Sequence, residues 1–179
     1  PTAFVSFIQN HDQIGNRAFG QRLHHLAPEA AVRAAAAIYL LAPQIPMLFM
    51  GEEWAAAQPF LFFADFGGDL ADAVRNGRRN EFARFPEFAN PSKRAAIPDP
   101  LALATFERSR PDWHDLAKPA HAAWLDWYRR ILGVRHERII PLLSRIHSGG
   151  TFDDKGESVF TVVWTVEGTG TLPLRSEEH

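Results

Sequence analysis

Two short apolar runs in this 179-residue sequence each end in groups able to do acid–base or hydrogen-bonding chemistry. Phe4-Val5-Ser6-Phe7-Ile8 stops at Gln9-Asn10-His11-Asp12-Gln13, and Ile45-Pro46-Met47-Leu48-Phe49-Met50 stops at Gly51-Glu52-Glu53. In parallel α/β folds the functional groups sit at the carboxyl ends of strands, so Asp12, Glu52 and Glu53 would converge on one rim. Carboxylates grouped in this way suit glycoside hydrolysis, whose transition state is positively charged. Each group also has a plainer reading. A His-Asp pair after a strand can be a turn with local hydrogen bonds. Glu52-Glu53 can start a helix or lie on the surface. Trp54, Phe60, Phe62 and Phe63 can stack on a sugar or fill a core.

The elements that must position these groups follow from the pattern. Phe4–Ile8 and Ile45–Met50 read as buried strands. Between them, Pro28 to Ala42 reads as a helix. Pro28 suits its first turn, Glu29 suits the positive end of its dipole, and the four alanines from Ala34 to Ala37 allow close packing. Strands apolar on both faces and joined by a helix predict a parallel sheet. Asp69 to Asn76 predicts a short helix, and the prolines from Pro86 to Pro100 mark a long irregular connection. His121 to Arg138 predicts an amphipathic helix carrying Trp124, Tyr128, Ile131 and Leu132. Asp153-Asp154-Lys155-Gly156 predicts a turn. Val159 to Val166 alternates, with Phe160, Val162, Trp164 and Val166 on one face, as an antiparallel strand does. It ends at Arg175-Ser176-Glu177-Glu178-His179 with too few strands to finish a sheet. The expected boundary falls at 138/139, with an α/β unit over 1–138 and an incomplete β-domain over 139–179.

Composition removes several classes of function. There are 19 Lys plus Arg against 21 Asp plus Glu, a net charge of −2, and so no basic footprint for nucleic acid or for a polybasic membrane anchor. With no cysteine, disulfides, thiolate metal sites and a cysteine nucleophile are excluded, which fits a cytoplasmic location. Pro43 and Pro46 interrupt the apolar stretch from Ala34 to Met50, arguing against a spanning helix. His136-Glu137 lacks a histidine at helical spacing, Gly168 and Gly170 lack the context of a dinucleotide loop, and His24-His25 lacks a carboxylate partner nearby. No metal or cofactor is expected. Pro1 is not a start methionine, so upstream sequence is expected.

The run from Phe4 through Asn10-His11-Asp12-Gln13-Ile14-Gly15-Asn16-Arg17 to Gly20 resembles the seventh barrel strand and its following loop in the α-amylase superfamily of glycoside hydrolases. Pro46 to Trp54 resembles the eighth. Together with Phe62-Phe63-Ala64-Asp65-Phe66, Gly77-Arg78-Arg79-Asn80-Glu81-Phe82, Pro98-Asp99-Pro100 and Thr105-Phe106 leading to Ser109-Arg110, the set is similar to the malto-oligosyltrehalose trehalohydrolase branch. Gln44 stands where many amylases carry glycine, which agrees with that branch. The resemblance implies the C-terminal part of a (β/α)₈ TIM barrel, strands seven and eight with their helices, followed by the start of an antiparallel β-sandwich. It implies a retaining hydrolase of the α-1,4 bond next to the terminal trehalose of malto-oligosyltrehalose, acting after malto-oligosyltrehalose synthase in trehalose biosynthesis. Asp12 matches the carboxylate that stabilises the transition state. His11 matches a sugar-binding histidine, and Asn10, Gln13, Arg17 and Glu52 would bind or line substrate. The nucleophile and general acid have no counterpart here, so these 179 residues alone are expected to be inactive. A glycogen-branching enzyme, a non-catalytic α-glucan-binding module and a purely structural domain are the rival readings.

Overall fold

Apolar residues at helical spacing build the centre of the molecule. In the computed structural model, which describes residues 2–156, 159–168 and 170–176, helix α2 (Glu29–Leu41) buries Val32, Ala36, Tyr39 and Leu40. It packs against Trp124 and Tyr128 of α6 (Pro119–Val134). The alanines let the two helices come close, and each large side chain buried between them contributes about 1.5–3 kcal/mol. Pro28 and Pro119 stand at the two helix starts, where a missing N–H costs nothing. Arg33 lies over the rings of Trp124 and Trp127 at 4.5 and 5.4 Å. It also pairs with Glu29 one turn earlier, at 2.6 Å.

The two strands expected before and after α2 form a parallel pair, but each is shorter than expected. Only β1 (Val5–Ser6) and β2 (Ile45–Pro46) are extended and paired, Val5 with Ile45 and Ser6 with Pro46. Ile45 N donates to Phe4 O at 3.0 Å and Met47 N to Ser6 O at 2.9 Å. Pro46, with no N–H, falls between those two donors and costs this ladder nothing. Nor are the strands buried. Phe4 is 70% exposed and Val5 52%, and Ile45, Met47 and Met50 are open as well. A two-stranded ribbon leaves both outer edges unpaired and its apolar faces without a partner layer.

After β2 the chain runs irregularly to α3 (Gly68–Phe82), then through short helices α4 (Pro91–Ala95) and α5 (Leu103–Ser109) to α6. Helix α3 runs past the expected end at Asn76. Gly77 disfavours helix, but Arg78 and Phe82 are buried on the far side of it and hold the extra turns. Phe82 joins Ala18, Phe88 and Ile97 in a second core.

Beyond α6, β3 (Thr151–Gly156), β4 (Val159–Val166) and β5 (Gly170–Ser176) form an antiparallel sheet in sequence order. Trp164 and Val166 on the expected face are buried with Ile146 and with Ala42 at the end of α2. The turn expected at Asp153–Gly156 is corrected. Asp153 pairs with Thr161, Asp154 with Phe160 and Gly156 with Val159, so these residues extend the strand, with a bulge between Asp154 and Gly156. Glu177, Glu178 and His179 of the expected terminus lie outside the described residues.

Candidate active site

The chain leaves β1 through a buried residue and turns at once into a one-turn helix. Gln9 is 1% exposed. Asn10 caps α1 (His11–Gly15) by accepting from Gln13 N at 2.8 Å. This satisfies one of the orphan donors of the first turn. Ile14 and Gly15 are buried, so His11 and Asp12 face outward. His11 Nε2 lies 3.4 Å from Asp12 Oδ1, and both side chains are mostly exposed.

Beside them is a cavity of about 250 Å³ lined by His11, Asp12, Gly15, Asn16 and the chain from Phe60 to Phe63. Phe63 also lines a neighbouring groove of about 450 Å³ with Asp65, Leu103 and Phe106. The rings of Phe49, Phe60, Phe63 and Phe106 follow one another edge to face at 5.0, 5.6 and 5.3 Å. The four aromatics offered as platform or core therefore divide. Trp54 is core at 2% exposure, whereas Phe62 and Phe63 are exposed at the cavity. An open acid, an imidazole and apolar ring faces together can hold a polyhydroxylated ring, with hydrogen bonds at its edge and contact on its face.

The loop is fixed from two sides. On one side stands Glu52, 2% exposed. Its Oε1 accepts from the hydroxyls of Tyr39 (2.5 Å) and Tyr128 (3.0 Å), and its Oε2 accepts from Gln9 Nε2 (3.2 Å). Burial pushes the Glu52 carboxyl above the ordinary range, and the three hydrogen bonds pull the other way. Both tyrosines are pushed up, by burial first and then by the Glu52 charge. On the other side Arg78 of α3, 6% exposed, donates to Gly15 O (2.7 Å) and Arg17 O (2.9 Å) at the end of α1. Its guanidinium lies over Phe62 and Phe82 at 5.0 and 4.7 Å. Burial lowers its pKa, partly offset by Glu81.

A second buried arginine, Arg22, joins the loop region to the segment that follows β2. It donates through Nε to Gln58 O at 2.7 Å and through Nη1 to Met50 O at 2.8 Å. Gly20, at φ +58°, accepts from Phe60 N at 2.9 Å. A Cβ there would lie 2.4 Å from Phe60 O, so this meeting of loops requires glycine.

Of the residues expected at the site, the fold brings His11 and Asp12 to one cavity. Asn10 stands behind them as the cap, and Gln13 is exposed on the same turn. Arg17 turns away: its Nη1 donates to Gln21 O, and it lines a different cavity with Phe85 and Phe88. Glu52 faces inward to the tyrosines rather than to open space. Glu53 is half-buried. His24 Nε2 is 3.1 Å from Ala56 O. No group of three or more His, Asp or Glu able to hold a metal occurs among the described residues. Nor, among them, is any helix long and apolar enough to cross a membrane.

No family model matches the chain. It is 41% identical over 173 residues, 96% of its length, to malto-oligosyltrehalose trehalohydrolase of Deinococcus radiodurans, covering 27% of that protein. It is 44% identical over 134 residues to the same-named protein of Arthrobacter ramosus, covering 74% of this chain and 22% of that one. A crystal structure described as an α-amylase from Salmonella typhimurium superposes with a TM-score of 0.87 at 46% identity, over 98% of this chain and 29% of that one. The chain is a relative of the malto-oligosyltrehalose trehalohydrolases. It spans about a quarter of the length of the curated relatives it matches. The kinship is with glycoside hydrolases of the α-amylase family.

Within the part shared with the trehalohydrolases, sequence reasoning passed over Gln9, Arg78 and the two tyrosines. Arg78 sits in one of the recognised segments, but a charged residue on a polar helix gives no sign of burial. Tyr39 and Tyr128 each fall on the apolar stripe of a helix. A hydroxyl at such a position needs a buried partner, and that was the available signal.

Proposed function

We propose that residues 1–138 are the C-terminal part of a (β/α)₈ barrel, with β1 and β2 as its seventh and eighth strands, and that residues 139–179 begin a C-terminal β-domain. On this reading the full-length enzyme hydrolyses the α-1,4-glucosidic bond next to the terminal trehalose of malto-oligosyltrehalose. It releases trehalose with retention, in the cytoplasm, from substrate supplied by malto-oligosyltrehalose synthase. The observation that carries the reading is the open pairing of His11 and Asp12 at the carboxyl end of a parallel strand, over a cavity walled by Phe60–Phe63. The uncovered apolar ribbon of Phe4, Val5, Ile45 and Met47 supports it too, since barrel strands take partners on both sides.

Asp12 binds the hydroxyls of the sugar at the cleavage point and favours the distorted, positively charged transition state. His11 hydrogen-bonds the same sugar, and Asn10 and Gln13 support the turn. The nucleophilic aspartate and the general-acid glutamate belong to earlier strands outside these 179 residues, so this stretch alone does not turn over substrate.

The test is product analysis of the full-length protein on a trehalose-capped maltodextrin, with and without Asp12→Asn. Free trehalose from the parent, and a fall in kcat of about 100-fold or more in the variant, are expected. New α-1,6 branch points would make it a branching enzyme, and binding without turnover a glucan-binding protein. A fully active Asp12→Asn would reduce Asp12 to a turn residue.

A further inference from the structure

The Glu52 cluster has a direction. Glu52 accepts three hydrogen bonds, from Tyr39, Tyr128 and Gln9, and as a carboxylate it donates none. Gln9 has one accepting end and one donating end. Its Oε1 accepts from Leu23 N at 3.1 Å, a backbone group that can only donate. Its Nε2 is therefore committed to Glu52. Every donor in the chain points toward the carboxylate, and the carboxylate fixes which way round the Gln9 amide lies. Gln9 is buried and is joined directly to Asn10, the cap from which His11 and Asp12 project.

We propose that Glu52 is the positioning residue for the Asn10-His11-Asp12 turn, acting through Gln9 and making no contact with substrate. The proposal rests on the reading of Asp12 as the group that acts on the sugar. It replaces a substrate-binding role for Glu52 with one exerted 43 residues away in sequence.

Polarity makes a sharp test. In Glu52→Gln the new amide keeps both tyrosines on its oxygen but turns an N–H toward the Gln9 amide. If Gln9 flips, its own N–H meets Leu23 N–H, so a donor–donor clash persists at one end or the other. In the double variant Gln9→Glu/Glu52→Gln the mismatch disappears. The amide introduced at position 52 donates to the carboxylate introduced at position 9, whose second oxygen accepts from Leu23 N.

In the full-length protein acting on a trehalose-capped maltodextrin, Glu52→Gln lowers kcat about tenfold with KM within about twofold. The double variant recovers to within about threefold of the parent. In parallel, amide exchange across residues 9–17 speeds up about tenfold in Glu52→Gln, the cost of one mismatched buried hydrogen bond, and returns in the double variant. Unchanged kcat and exchange in Glu52→Gln, or a double variant as impaired as the single, overturns the proposal. Should Glu52→Gln not fold, Tyr128→Phe removes one donor and keeps the ring. It must quicken exchange over the same residues about threefold, and no change there overturns the proposal equally. A parent without glycosidase activity defeats the proposed function, while the exchange measurements still decide the positioning role.

Discussion

Replacing Arg78 by methionine is the most direct challenge to the idea that the His11–Asp12 turn is clamped at both ends. Arg78 reaches across from α3 to the carbonyls that close α1, at 2.7 Å to Gly15 and 2.9 Å to Arg17, with a longer approach of 3.4 Å to Asn16. Hydrogen bonds from a charged donor contribute about 1.5–3 kcal/mol each, so the two good ones give a gross loss of about 3–6 kcal/mol. Two effects offset it. Removing a buried cation relieves its desolvation, which is also what depresses its pKa. Water can also enter beside the exposed Asn16 to meet the freed carbonyls. The net expectation is a loss of about 2–3 kcal/mol, roughly half the gross. Methionine fills the space of the aliphatic stem and gives up only the guanidinium's place over Phe62 and Phe82, so packing alone predicts a small change. The assay is amide exchange at Asn16 and Arg17, whose N–H groups donate to Asp12 O and Ile14 O inside the clamped turn. A local loss of 2–3 kcal/mol speeds opening about 30- to 150-fold, and Arg78→Lys, which keeps the charge but lacks the planar guanidinium that sets Nη2 between both carbonyls, should fall between. Exchange within about twofold of the parent in Arg78→Met would refute the clamp and leave Arg78 as a packed stem.

Two further outcomes follow from the same geometry. Gly20→Ala combines a positive φ with a Cβ 2.4 Å from Phe60 O, so it should cost about 2–4 kcal/mol in denaturant unfolding of the full-length protein; a loss under about 0.5 kcal/mol would show that the two loops separate freely. His24 is pushed down to about 4, by burial first and then by His25. The unfolded chain takes up this proton first, so the stability due to neutral His24 is complete above about pH 6.5 and is lost as pH falls toward 4. His24→Gln should flatten that slope relative to the parent, and an identical slope in both proteins would mean that the ring is solvated.

What was legible in the sequence was what local pattern controls. The helix read over Pro28–Ala42 is α2 at Glu29–Leu41, and the alternation of Val159–Val166 is β4 itself, with Trp164 and Val166 buried. Both depend on periodicity, and each meets its partner layer within this chain. The apolar runs at Phe4–Ile8 and Ile45–Met50 carried an equally strong strand signal, yet only two residues of each pair. Strand formation is completed by neighbours rather than by propensity, and the ribbon has one ladder. The turn at Asp153–Gly156 was misjudged for the opposite reason: Asp, Lys and Gly suit a turn, but cross-strand pairing with Thr161 and Phe160 overrides them.

The candidate site divides along the same line. Asn10, His11 and Asp12 could be seen because a cap, an imidazole and a carboxylate are adjacent in the chain and their chemistry is written in their types. The groups that hold them could not. Gln9 is tied to Leu23 and to Glu52, Glu52 to Tyr39 and to Tyr128, and Arg78 to Gly15 and Arg17, over separations of 13 to 76 residues. Each of these polar side chains suggests solvent when read alone. Burial of Glu52 became legible only once Tyr39 and Tyr128 were seen to bring hydroxyls into one apolar seam, because a buried hydroxyl requires an acceptor. The acceptor nearest the end of β2 was the acid first assigned to the substrate. A carboxylate after a strand can therefore stand on either side of the rim. The donors around it, rather than its place in the motif, decide whether it faces the sugar or holds the residue that does.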